Sequence, residues 1–283
     1  GDIGRTVWLC AGLPQHVPGT TIDRQCGSSQ QAVHFAAMGV MSGTQDVVIA
    51  GGVESMTRVP MMSATLLATP AGFGGPESPG LHRQRPGFAA SQFGGAEILG
   101  KKYGFDKDDT DAFGFSSHAK AIAATEAGKF DAEITTVAIT GADGAQSLHR
   151  IDEGIRFDSS LESIQGVKLL QEGGIITAAT SSQICDGASA MLIVSEKALK
   201  QYGLTPIARI HHLTVMGDDP VVMLEAPVPA TQRALVRTGM KIDDFDLFEV
   251  NEAFATVPLA WGKALGADPD RLNVNGGAIS LGH

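Results

Sequence analysis

The chain has no excess of cationic side chains. Its 283 residues carry 21 Lys and Arg against 31 Asp and Glu, for a formal net charge of -10. Phosphate-backbone binding needs clustered Lys and Arg, so this balance argues against a duplex-binding surface; a local basic patch can still hold a small anion. Cysteine is also scarce. Cys10, Cys26 and Cys185 lie far apart, with no Cys-x-x-Cys pair and no Cys/His cluster at metal-ligand spacing. No metal is implied, and free thiols in a reducing compartment are expected. Nowhere do roughly 20 apolar residues run together as a membrane span requires. The start lacks the basic and then apolar segments of a secretory signal, so a cytoplasmic protein with no membrane partner is expected. Short repeats and low-complexity tracts are missing as well. What is present is 43% hydrophobic residues, enough for a substantial core in one large domain or two ordinary ones. Gly1 is not an initiator, and His283 follows a Gly-rich stretch with no closing helix or strand. Both ends are expected to be cut inside the fold.

Residues 20–23 read as a short strand and 27–41 as a helix, which puts Cys26 at a strand-to-helix turn. Residues 46–50 read as a buried strand ending at Gly51-Gly52, where backbone must approach something closely. From 54 to about 86 the order changes to Met, Pro and Gly, as in a long functional loop or an inserted subdomain. Helices are expected at 94–103 and 107–128, the second with an acidic first turn that suits the helix dipole. Strands are expected at 133–139, 190–195, 207–215 and 246–250, and further helices at 230–239 and 253–266. Strands alternating with helices imply an α/β fold with buried sheets.

Three places can carry chemistry. Cys26 precedes a helix, where the dipole and unpaired N–H groups stabilise a thiolate and favour a nucleophile. The other reading is a buried structural cysteine, which Cys10 and Cys185 keep. Asn251 follows an apolar strand and can hold a water or an oxyanion at the sheet edge, or can simply cap a helix. His283 ends the run Gly276-Gly277-Ala278-Ile279-Ser280-Leu281-Gly282. A His flanked by such glycines can pair with a thiol, or can be an ordinary surface or core residue.

Together these elements resemble the thiolase family. Cys26-Gly27-Ser28 is similar to its nucleophile turn, and Gly51-Gly52-Val53-Glu54-Ser55-Met56 to its Gly-Gly-x-Glu-Ser-Met. Asn251-Glu252-Ala253-Phe254 matches its Asn-Glu-Ala-Phe, and residues 273–283 its Asn-x-Asn-Gly-Gly-Ala-Ile-x-x-Gly-His. Ser117-His118, Gly128-Lys129-Phe130, Asp186-Gly187-Ala188 and Pro229-Ala230-Thr231 extend the match over nearly the whole chain. The resemblance implies a coenzyme A-dependent acyltransferase that cleaves 3-ketoacyl-CoA, or runs the reverse condensation, through an acyl group on Cys26. His283 would take the proton of Cys26, and His283 with an Asn251-held water would stabilise the thioester enolate. Ser182 matches a loop serine that contacts the pantetheine arm. CoA is a co-substrate and no permanently bound cofactor is implied. The family's second cysteine, in a Cys-x-Gly-Gly-Gly segment, has no counterpart in this sequence, so the chain alone is expected to be inactive.

The family's fold is two similar halves in αβαβα layers with an inserted loop domain. On that pattern residues 1–54 and 185–206 form the N-terminal half, 55–184 the loop domain and 207–283 the C-terminal half. A homodimer or homotetramer is expected. Acetoacetyl-specific members often carry His-Met-Gly before the conserved Ala-Glu of the loop domain, where this chain has Gln92-Phe93-Gly94-Gly95-Ala96-Glu97; this leans toward degradation of a longer or bulkier acyl chain, fatty as in β-oxidation or sterol-derived. A condensing enzyme of the same superfamily is disfavoured by Asn251-Glu252-Ala253-Phe254. The remaining alternative is a non-catalytic thiolase-like protein that binds acyl-CoA or assembles with partners.

Overall fold

The computed structural model describes residues 2–75 and 77–283. In chain order its helices are α1 (Ile3–Cys10), α2 (Ser28–Met41), α3 (Ser63–Ala68), α4 (Pro79–Gln84), α5 (Gln92–Tyr103), α6 (Lys107–Glu126), α7 (Leu161–Gln165), α8 (Glu196–Tyr202), α9 (Pro227–Thr238), α10 (Thr256–Leu265) and α11 (Ala278–Leu281). The strands are β1 (Val47–Ser55), β2 (Val137–Thr140), β3 (Gln146–His149) and β4 (Asp186–Val194). Helices and sheets make an α/β fold. Two compact units emerge, one of Gly1–Met61 with Asp186–Leu213 and one of Met62–Cys185 with Thr214–His283. No helix among the described residues is long and apolar enough to cross a membrane.

In the first unit β1 and β4 pair antiparallel over their full length, from Val47 opposite Val194 to Ser55 opposite Asp186. Their β-branched content suits a pleated ladder. Helix α2 lies on this pair through a small core of Ala36, Ala50 and Ile193, joined by Val33, Val40 and Val48. The strand does not stop at the two glycines as its sequence suggests. Gly51 and Gly52 stay in the ladder opposite Ala190 and Ser189, and the close approach occurs inside the strand: a Cβ on Gly51 would lie 2.8 Å from the Ser189 carbonyl oxygen.

Residues 20–23 form no strand. Thr21 is tied instead to the start of α1, its hydroxyl accepting from the Ile3 N–H and donating to Asp2 Oδ1, both at 3.0 Å. Residues 207–215 also have strand composition without a ladder, and Ile207 is fully exposed. A β-branched run becomes a strand only where a neighbour offers backbone groups.

The second unit is mainly helical. α5 and α10 pack through Ala96, Leu99, Val257 and Ala260, joined by Phe254 and Ile176, and Gly100 lets them close in, since a Cβ there would lie 3.0 Å from Thr256 Cγ2. The start of α6 is fixed by a reciprocal capping box between Asp106 and Asp109, with Asp108 and Asp109 in its first turn. Val228, Phe248, Trp261 and Leu272 form a second cluster. The stretch read as a loop or subdomain carries α3 and α4; Pro76, within it, lies outside the described residues.

Two other strand expectations change here. Turn bonds from Glu133 and Ile134 to the Phe130 carbonyl occupy the start of 133–139, so β2 begins at Val137 and pairs with β3. Residues 246–250 make a single parallel bridge, Phe248 to Leu272. The next rung is replaced by a side chain. Asn273, at φ 46, turns the backbone away, and its amide accepts from the Val250 N–H and donates to the Val250 carbonyl, both at 2.8 Å.

The glycine pair in β1 gives a direct test. Gly51→Ala is expected to destabilise the protein by about 1–3 kcal/mol because the new methyl meets backbone. Gly52→Ala, with nothing within 4 Å of its Cβ, is expected to be neutral or to stabilise by up to about 1 kcal/mol. Urea unfolding midpoints separate the two; equal midpoints would contradict the close approach at Gly51.

Candidate active site

Cys26 is the middle residue of the 3-10 turn Gln25–Gly27, which leads straight into α2. Gln25 has φ 45, a left-handed conformation that costs a non-glycine residue about 1–3 kcal/mol and persists only when its surroundings enforce it. Here they do. Gln25 N–H donates to Asp23 Oδ1 at 3.1 Å, the Ser28 hydroxyl donates to the Gln25 carbonyl at 2.7 Å, and Arg24 N–H donates to that same hydroxyl at 2.8 Å. The chain is thus held in a sharp bend that leaves Cys26 exposed.

The position at a helix start was expected to favour the thiolate, and the surroundings do the reverse. Protein mass around the sulfur pushes the Cys26 thiol above its ordinary value and the Glu54 carboxylate adds to this, while the Cys26 backbone N–H offsets part of it. The thiol is therefore protonated at neutral pH, and its attack on a carbonyl requires a base. Cys10 is exposed and Cys185 half-buried, so neither is the buried structural cysteine that the sequence suggested; all three thiols are free.

The other candidates belong to the second unit. Asn251 and His283 come together, with Asn251 Nδ2 and His283 Nδ1 3.5 Å apart, at the outer limit of hydrogen bonding. They line a cleft of about 350 Å³ with Gly276, Gly277, Gly282 and Glu249. The Glu249 carboxyl is raised by burial first and by Glu252 second, with Lys120 opposing. Glycine is required in this wall: Gly282 has φ 98, and a Cβ on it would lie 2.6 Å from Cys185 Sγ. Ser182 sits beside the Asn251 loop because residues 180–182 run antiparallel to 253–255. Ser182 N–H donates to the Ala253 carbonyl at 3.0 Å, and Ala255 N–H to the Thr180 carbonyl at 2.9 Å. No group of His, Cys, Asp and Glu among the described residues can hold a metal ion.

The structure also shows residues to which sequence reading gave no role. Glu252, next to Asn251, is completely buried and accepts from Ser117, Asn273 and Ile279. Gln183 Nε2 donates to the Ile279 carbonyl at 2.8 Å and the Gly154 carbonyl at 2.7 Å. Glu252 stood in the Asn251-Glu252-Ala253-Phe254 match without a role of its own, and adjacency to Ser182 was the signal the sequence held for Gln183. His118 is buried, with Nδ1 accepting from the Arg156 N–H at 3.2 Å; burial, with the Arg156 charge, lowers its pKa and keeps it neutral.

The Cys26 environment has a measurable sign. Removing the Glu54 charge takes away a term that opposes the thiolate, so Glu54→Gln is expected to shift the pH profile of Cys26 alkylation by iodoacetamide toward lower pH, read as the mass of the Cys26 peptide. An unchanged profile would show that Glu54 does not act on the thiol.

The family model described as the thiolase N-terminal domain matches residues 2–197, and the one described as the thiolase C-terminal domain matches residues 204–283. A steroid 3-ketoacyl-CoA thiolase, FadA6, of Mycobacterium tuberculosis is 49% identical over 286 residues, covering all of this chain and 69% of that protein. A 3-ketoacyl-CoA thiolase of Psychrobacter cryohalolentis is 45% identical over 289 residues, and one of Acinetobacter baumannii 44% over 287; in both cases the match covers all of this chain and 71% of the relative. The chain belongs to the thiolase family.

Proposed function

We propose that this protein is an acyl-CoA C-acyltransferase that cleaves 3-ketoacyl-CoA with coenzyme A, or runs the reverse condensation, with Cys26 as nucleophile. The observation that carries the reading is the approach of Asn251 and His283 to 3.5 Å on a glycine-walled cleft in a chain of this family.

In the proposed sequence His283 accepts the Cys26 proton, which answers the need for a base at a thiol held protonated. The thiolate attacks the C3 ketone carbon, and the Cys26 backbone N–H helps hold the oxyanion that forms there. The C2–C3 bond breaks, leaving the shortened acyl group on Cys26 and the enolate of acetyl-CoA. Asn251, through a water, and His283 stabilise that enolate oxygen. The enolate carbon takes a proton to give acetyl-CoA; by family resemblance its donor is the cysteine of a Cys-x-Gly-Gly-Gly segment, which these 283 residues do not contain. The thiol of free CoA returns a proton to that donor and attacks the acyl carbon; the Cys26 sulfur leaves, takes back the proton held on His283, and the shortened acyl-CoA is released. Ser182 is assigned to the pantetheine arm, supported by its place beside the Asn251 loop. CoA enters as co-substrate, with no permanently bound cofactor.

The acyl chain is proposed to be a longer or bulkier one, fatty or sterol-derived. Supporting this are Phe93, which lines a mainly apolar cleft with Leu170 and Ile176, and the steroid substrate in the name of the mycobacterial relative. We assign residues 1–54 and 185–206 to an N-terminal half, 55–184 to a loop domain and 207–283 to a C-terminal half. A homodimer or homotetramer in the cytoplasm completes the proposal, supported by the family and by three free thiols.

Steady-state thiolysis of 3-ketoacyl-CoA by the full-length protein tests the assignment. Cys26→Ala is expected to bring turnover to background, and Asn251→Ala to lower kcat by about 10²–10³-fold with little change in KM. Full turnover by Cys26→Ala would sink the nucleophile assignment. No turnover by the unaltered protein with any 3-ketoacyl-CoA would leave acyl-CoA binding or assembly as the function.

A further inference from the structure

Glu252 has no solvent exposure, and none of the acyl-transfer steps above uses it. Enclosing a carboxylate is costly unless donors meet its oxygens. Three do. Ser117 Oγ donates to Oε2 at 2.7 Å, the Ile279 N–H to Oε2 at 3.1 Å and Asn273 Nδ2 to Oε1 at 2.9 Å. The first comes from α6, the second from α11 and the third from the residue that replaces the rung beside Val250. Gly277 passes flush over the carboxylate, since a Cβ there would lie 2.4 Å from Glu252 Cδ. Ser117 Oγ also meets Ser280 Oγ at 3.0 Å and accepts from the Gly277 N–H at 3.3 Å.

We propose that Glu252 is a positioning residue of this site: its carboxylate holds the turn that delivers His283 to Asn251, so the separation of those two side chains depends on it. Asn251 is its neighbour in the chain, and His283 lies four residues beyond the Ile279 N–H that it binds. The catalytic meaning of this role rests on the acyl-transfer reading, while the geometry it controls does not. An acceptor with two oxygens is required. Glu252→Gln keeps the volume, but its NH2 must face either Asn273 Nδ2 or the Ile279 N–H, both donors, and so frees one of the segments.

The test compares Glu252→Gln with Asp111→Asn, which alters another fully buried carboxylate of the same unit, on α6 and paired with Lys107. In crystal structures the Asn251 Nδ2 to His283 Nδ1 separation is expected to pass about 4 Å, beyond hydrogen-bond reach, in Glu252→Gln. The unaltered protein and Asp111→Asn are expected to keep the 3.5 Å spacing. In thiolysis, Glu252→Gln should lower kcat roughly 10²-fold, the size of a 1 Å misplacement, with KM held within about 2-fold. Asp111→Asn should leave kcat alone even where it costs as much in Tm. An unchanged separation in Glu252→Gln, or kcat losses in both variants that track Tm, would overturn the proposal. If Glu252→Gln does not accumulate, Ser117→Ala removes one donor and leaves the carboxylate. It should widen the same separation and lower kcat about 10-fold, and no change in either would overturn the role. Absence of turnover in the unaltered protein would count against the acyl-transfer reading, and the separations would still decide the role of Glu252.

Discussion

A carboxylate can be sealed inside a protein only where donors converge on it, and in this chain that requirement falls on Glu252. Its three partners come from positions 117, 273 and 279, more than 150 residues apart at the extremes. Satisfying one buried group therefore joins the middle of a long helix, the rung substitute at Asn273 and the turn that leads to His283. The same demand explains Gly277, where no side chain fits over the carboxylate. It also gives a reason for the left-handed Asn273, whose amide serves Val250 with one edge and Glu252 with the other.

Around Cys26 the physics is different. The bend that presents the thiol is held by short polar contacts from Asp23, Arg24 and Ser28 against a strained Gln25. Protein mass near the sulfur and Glu54 keep the thiol protonated, so the residue is a weak nucleophile at rest and depends on a base to become a strong one. A helix start alone does not activate a cysteine when desolvation and a nearby carboxylate act against it. The requirement for a base makes His283 part of the same chemistry in the proposed mechanism.

The sequence showed some of this plainly. Helices such as α5 and α6 were visible because their residues read as helical, and α6 also because of its acidic first turn. Strands were less visible, because composition says only that a segment would suit a ladder. Residues 20–23 and 207–215 suit one and have none, and 246–250 reaches a single bridge because Asn273 intervenes. β1 runs through two glycines that look like a terminus, since pairing with β4 decides where it ends. Cys26, Asn251 and His283 could be singled out because their residue types carry chemistry, and Ser182 through the family resemblance. Glu252 and Gln183 could not, because the role of a buried polar group lies in its partners, and partners from distant segments leave no local pattern.

The central claim is that Cys26 carries the acyl group, and trapping that group tests it most directly. The full-length protein, mixed with a 3-ketoacyl-CoA and quenched before free CoA is added, should gain the mass of the shortened acyl group. Peptide mapping should place that mass on Cys26, and adding CoA should remove it. An adduct on another residue, or none with any 3-ketoacyl-CoA, would contradict the account.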